Sequence, residues 1–222
     1  MISDSLKSLI STKFDSYRGM TVETIKRSLG IRSTCKNVNS MIVSKIIDLP
    51  SLDSEIVHAM KKTCAFKTVK VLANRTVKES MSFPAIDYFD MKRNDWKNSA
   101  VFEYFSSKTI ILFVFLEVPD GVIFRGYMFL SLNSSELSAV FEVWEKVKHM
   151  LNNDAFIIGG ANGFSVENFP KKKDNDVTHL RPHDVNSSVG SVLLPNGRRI
   201  MNYCFWLNNS FIEKRLKEAG VI

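Results

Sequence analysis

TIILFVFLEVPDGVIFRGYMFLSL, residues 109–132, is the stretch whose reading decides the fold. Residues 109–117 and 123–132 are two runs rich in β-branched and aromatic side chains, on either side of Asp120-Gly121. Asp-Gly suits a tight two-residue turn, so the stretch predicts a β-hairpin. The run 109–118 is too short to cross a bilayer and its apolar residues are continuous, as in a strand buried on both faces.

Working upstream, residues 65–72 alternate in the manner of a strand, Asn74-Arg75 marks a turn, and residues 77–83 are expected to return antiparallel. Before them lies a helical segment. Leu6, Leu9, Ile10 and Phe14 recur at helical spacing until Gly19. Thr21 is placed to cap a second helix that Gly30 stops, and residues 37–47 predict a third, ended by Pro50. The two short helices around Gly30 fit either a helix-turn-helix or an ordinary packed helical hairpin.

Downstream, residues 136–151 predict an amphipathic helix capped by Ser134 or Ser135, with Leu137, Val140, Phe141, Trp144, Val147 and Leu151 turned inward. A polar stretch, residues 159–196, is expected to be a long decorated loop. A strand over 199–207 and a closing helix over 210–219 complete the chain. The expected fold is mixed α/β (α+β): a central mixed sheet flanked by helices. Residues 1–50 form a helical segment packed on a core of residues 51–222, one domain overall.

Composition narrows the function classes. Of 222 residues, 45% are hydrophobic and 24% charged, a globular balance, and the 16 Phe are expected in the core. Cys35, Cys64 and Cys204 are odd in number and form no CxxC pair. That argues against a disulfide framework or a zinc ribbon and suits a reducing, cytoplasmic setting. Asp4 and Lys7 interrupt any signal-peptide core in residues 1–10. No basic amphipathic helix suited to membrane docking stands out, so the net charge of +7 favours nucleic acid as the polyanionic partner.

The residue types that contact nucleic acid gather late in the chain. Lys171, Lys172 and Lys173 form a basic run. In His179-Leu180-Arg181-Pro182-His183 the proline stiffens an extended segment that would present Arg181 and two imidazoles in fixed directions. Asn186, Ser187 and Ser188 add small donors, Arg198 and Arg199 follow a Pro-Asn-Gly turn, and Asn208 and Asn209 come after the last strand. Arg and Asn read base edges, whereas Lys and Ser mostly grip phosphates. These residues suit DNA and RNA alike. A zinc site at His179 and His183 fails, because Pro182 breaks any shared helical face and no Cys or carboxylate completes the ligand set.

The same residues carry a resemblance. Lys67-Thr68-Val69, then Lys78 through Pro84, Trp96, the strand 110–114, the HLRPH segment 179–183 and the segment 204–212 (CFWLNNSFI) resemble the MutH-type family. That family holds a mismatch-repair nuclease and the type II restriction endonucleases that cut at GATC. The likeness runs from about Phe14 to Leu216 and is greatest to the C-terminal, DNA-binding effector half of the two-domain restriction enzymes. It implies a MutH-like fold and sequence-specific binding of double-stranded DNA at GATC. It also implies a partnership with a catalytic nuclease domain or subunit, or a homodimer.

In the active halves of that family an upstream carboxylate, a Glu-x-Lys pair and a helix Glu hold magnesium and activate water. Here the motif's lysine matches Lys67, but its glutamate falls on Ala65, and the helix position falls among Met41, Ile42, Val43 and Ser44. Asp53 or Glu55 would be the upstream carboxylate, at an unconvincing spacing. The resemblance therefore implies a degenerate metal site, with Lys67 as a remnant, and binding that needs no cofactor. The alternative is a magnesium-dependent GATC endonuclease in which Glu79 takes over the missing role from a neighbouring strand.

Overall fold

The computed structural model describes residues 4–48, 63–160, 163–183 and 191–222. In chain order the elements are α1 (Asp4–Phe14), α2 (Val22–Ser28), α3 (Val38–Ile47), β1 (Cys64–Val71), β2 (Met81–Ala85), α4 (Tyr88–Arg93) and α5 (Ala100–Ser107). The hairpin β3 (Thr109–Val118) and β4 (Gly121–Leu130) follows, then α6 (Ser134–Asn152) and the short pair β5 (Ile158–Gly159) and β6 (Ser165–Val166). The chain ends with β7 (Thr178–Pro182), β8 (Ser191–Leu193), β9 (Arg199–Met201), β10 (Tyr203–Leu207) and α7 (Asn209–Glu218). The class is mixed α/β, as expected. Pro50, Asp53, Glu55, Asn186, Ser187 and Ser188 lie outside the described residues. No helix among the described residues is long and apolar enough to cross a membrane.

Contacts gather the chain into two units. The first holds residues 1–79, 108–131 and 213–222. Its sheet has the order β1-β3-β4, with β1 parallel and β4 antiparallel to β3. The central position of β3 explains its unbroken apolar run: residues 110–115 are at most 1% exposed. Ile111, Phe113 and Phe115 pack with Phe124 of β4 and with Leu9, Ile10, Phe14, Ile25, Ile42 and Ile46 of the first three helices. Each buried Phe or Ile adds about 1.5–3 kcal/mol relative to an exposed one. Thr21 does cap α2, accepting from the Thr24 N–H. Because α2 and α3 bury one face each in this core, they form a packed helical pair.

One close approach in this unit requires glycine. Arg18 lies 4.7 Å from the Tyr127 ring centroid and bonds Asp15 at 2.8 Å, passing over Gly126. A Cβ at Gly126 would stand 2.0 Å from Arg18 Nη1, and its φ of +136° is one that side-chain-bearing residues rarely adopt.

The second unit holds residues 80–107 and 132–212. Its sheet has the order β2-β10-β7, antiparallel throughout. Phe83, Phe105 and Phe205 pack in a row, at 4.8 and 6.4 Å between ring centroids. The helix α6 buries Val140, Val143, Trp144, Val147 and Leu151. Its cap is Asn133 and not Ser134 or Ser135: the Asn133 side chain accepts from the Glu136 N–H at 2.9 Å, and Glu136 reaches back to the Asn133 N–H at 2.8 Å. That reciprocal box satisfies two amides that a serine one residue later would leave open.

Two further expectations are corrected. Residues 77–83 do not return as one strand against β1. The antiparallel contact is the Val71–Val77 bridge, with the Lys78 N–H donating to Lys70 O at 3.0 Å, after which β2 joins the other sheet. Residues 199–207 form two strands with different partners, β9 against β8 and β10 between β2 and β7, separated at Asn202.

Candidate nucleic-acid interface

The HLRPH segment is a strand, not a loop. Residues 178–182 are β7 and pair with β10 in the register His179↔Trp206 and Arg181↔Cys204. Directly opposed residues share a face, and side chains alternate along each strand. His179, Arg181, Cys204 and Trp206 therefore project from one face of the sheet, while Leu180 and Phe205 project from the other.

On that shared face Arg181 is exposed and its guanidinium sits 4.8 Å from the centroid of the half-buried Trp206 ring. No carboxylate pairs with Arg181 among the described residues. His179 behaves differently from the expectation that it is presented to a ligand. It is 2% exposed, and its Nδ1 lies 2.5 Å from Asn208 Oδ1. Asn208, 1% exposed, donates from Nδ2 to the Asn175 carbonyl at 2.6 Å, which fixes its amide so that Oδ1 faces the imidazole. The imidazole thus donates from Nδ1. Burial pushes its pKa below the ordinary value, and the charges of Arg181 and Lys172 push the same way against the Asn208 hydrogen bond. His179 and Asn208 are thus buried and bonded to each other, linking β7 to the residue after β10.

The lysine run lies on one exposed turn. The Lys171 N–H donates to Asp174 Oδ2 at 2.8 Å, and residues 172–174 form a single 3-10 turn. Lys172 donates from Nζ to Asn209 Oδ1, and the Asn209 N–H donates to Ser80 Oγ at 3.2 Å. The turn that carries the lysines contacts β7, the strand of His179 and Arg181. Lys171 and Lys173 are exposed on the same turn.

Arg198 and Arg199 make bonds within the chain. Arg198 pairs with Asp154 at 2.6 Å and donates to Phe156 O at 3.3 Å, closing the turn after Pro195. Arg199 donates to Ser191 Oγ at 2.9 Å across the β8–β9 ribbon. His183 is exposed just past β7, and its backbone N–H donates to Asn202 O at 2.7 Å. Trp206 was not among the residues expected at the site. The signal that finds it is the period of two shared by 179/181 and 204/206 once the strands are paired.

The residues expected to descend from a metal centre sit in the first unit. Lys67 is half-buried on β1 opposite Leu112, and Ala65 is buried opposite Ile110. Ile42 and Val43 of α3 are core residues. Glu79 is exposed in the segment between the Val71–Val77 bridge and β2, not on a strand beside Lys67. Among the described residues this sheet contains the pair Lys70–Glu117, at 2.6 Å, and the Lys70 hydrogen bond holds the Glu117 carboxyl below its usual range. No three His, Cys, Asp or Glu side chains gather into a metal-ligating group among the described residues.

No family model matches the chain. Among characterised proteins it is similar to the type II restriction enzyme Sau3AI of Staphylococcus aureus, with 25% identity over 252 aligned positions. The alignment covers 96% of this chain and 52% of that enzyme. The chain therefore spans about half the length of the relative it matches.

Proposed function

We propose that this chain is a sequence-specific, double-stranded-DNA-binding unit of a type II restriction system, MutH-like in fold, recognising GATC, and without a working metal centre of its own. The observation that carries this reading is the exposed Arg181, its guanidinium 4.8 Å from the Trp206 ring centroid, with the exposed Lys171, Lys172 and Lys173 at a turn that contacts β7. Arginine's fork matches the O6/N7 edge of guanine, and lysines on an adjacent turn suit phosphates. The distant relationship to a restriction enzyme supports DNA as the partner. Double-stranded DNA is favoured over RNA because major-groove edges are open to a side chain only in the B-form duplex.

The loss of the motif glutamate supports a metal site that no longer works. Hard cations need several oxygen ligands, and the place of the motif glutamate is the buried methyl of Ala65. The GATC target and a partnership with a catalytic domain, a separate nuclease subunit or a second copy are supported by the family resemblance alone.

The test is a gel shift and a cleavage assay on GATC and scrambled duplexes, each with and without magnesium. The proposal expects a shift on GATC duplex without metal and intact DNA throughout. Cleavage that needs magnesium and is lost in Lys67→Ala would establish the endonuclease reading instead.

A further inference from the structure

Resting on the reading that this face contacts DNA, we infer that Trp206 is a positioning residue for sequence recognition: its indole holds the Arg181 guanidinium ready for a base edge. An arginine on an edge strand has a long, freely rotating side chain, and ordering it on a ligand costs conformational entropy. Here the cost is met before DNA arrives. Arg181 sits on β7 opposite Cys204, one pair along from Trp206, and diagonal neighbours on one sheet face lie within reach of an aromatic ring. The guanidinium lies 4.8 Å from the ring centroid. A cation over an aromatic ring is attracted by the ring's quadrupole, a contact that does not consume the guanidinium's N–H donors in hydrogen bonds to the protein.

The platform itself is rigid. β10 is the centre strand, paired on one side with β2 through Trp206↔Ser82 and on the other with β7 through Trp206↔His179. No carboxylate pairs with Arg181 among the described residues, and the indole face is the contact that its guanidinium makes there. The Trp206 Nε1–H is buried and finds no acceptor among the described residues. Replacing Trp206 by phenylalanine therefore deletes no observed hydrogen bond and leaves a smaller stacking face, whereas leucine removes the stack and keeps an apolar side chain.

The experiment measures affinities of wild type, Trp206→Phe and Trp206→Leu for a GATC duplex, a scrambled duplex and the best duplexes selected by wild type from a random pool. Thermal unfolding checks that each variant folds. Trp206→Leu is expected to lower the ratio of preferred to scrambled affinity by about two- to thirtyfold, the range of a cation–π contact. Scrambled affinity and salt slope should stay as in wild type, and Trp206→Phe should keep most of the ratio. Wild-type preference that Trp206→Leu leaves intact overturns this inference alone, as does an equal loss on every duplex. A wild type that prefers no sequence in the pool overturns the functional reading, and this inference with it.

Discussion

The His179 imidazole and the Asn208 carboxamide share a 2.5 Å hydrogen bond and are both almost wholly buried, at 2% and 1% exposure. The bond ties β7 to the residue between β10 and α7. Arg181 and Trp206 therefore project from strands whose relative placement is set by a polar contact beneath them.

That buried imidazole makes stability depend on pH. Its folded-state pKa is lowered by burial, so the unfolded chain takes up the proton first as pH falls. The contribution is fully present above the unfolded histidine value of about 6.5 and is lost progressively below it, down to the folded-state pKa. Urea midpoints measured against pH should fall below that point in wild type. In His179→Gln the fall should be shallower; identical profiles would show that His179 does not carry the effect.

Asn208→Ala leaves the His179 Nδ1–H and the Asn175 carbonyl without their partner. The expected cost is about 1–3 kcal/mol of unfolding free energy for a buried group left unpaired. Denaturant titration reads it as a lower midpoint at unchanged slope. A double variant with His179→Leu should lose less than the sum of the single changes, because the two side chains share one bond.

Gly126→Ala in the first unit should destabilise by about 1–3 kcal/mol, because the new methyl meets Arg18 Nη1 and the backbone keeps its positive φ. Adding Arg18→Ala removes the steric conflict but not the backbone strain. Thermal unfolding should thus show partial rescue in the double variant. Full rescue would assign the whole cost to the clash.

Lys173→Ala should weaken binding to every duplex alike and reduce the salt slope by about one unit, as expected for the loss of one phosphate contact. Titrations at several salt concentrations on GATC and scrambled duplexes read both quantities. A loss confined to GATC would make Lys173 a base reader and redraw the interface.

The elements legible in the sequence are those with a strong local period. The hairpin of β3 and β4, the three N-terminal helices, α6 and α7 stand nearly where periodicity and turn chemistry put them. Asn133 was legible too, since Asn133 and Glu136 have capping-box spacing, whereas Ser134 and Ser135 have no Glu or Gln three residues on. β7 was not legible. Its five residues include a proline and three polar side chains, and it becomes a strand only by pairing with β10 more than twenty residues later. That distant pairing also turns His179 from an expected contact into a buried support and brings Trp206, which no local pattern singled out, under Arg181. The same limit explains Arg198, whose place in a turn suggested exposure while Asp154 holds it.

The most direct test of the account is the affinity of wild type and Arg181→Ala for GATC and scrambled duplexes at one fixed salt concentration without metal. The account predicts that Arg181→Ala costs about 1–3 kcal/mol on GATC and little on the scrambled duplex, so that the specificity ratio collapses. A ratio equal to that of wild type would contradict it.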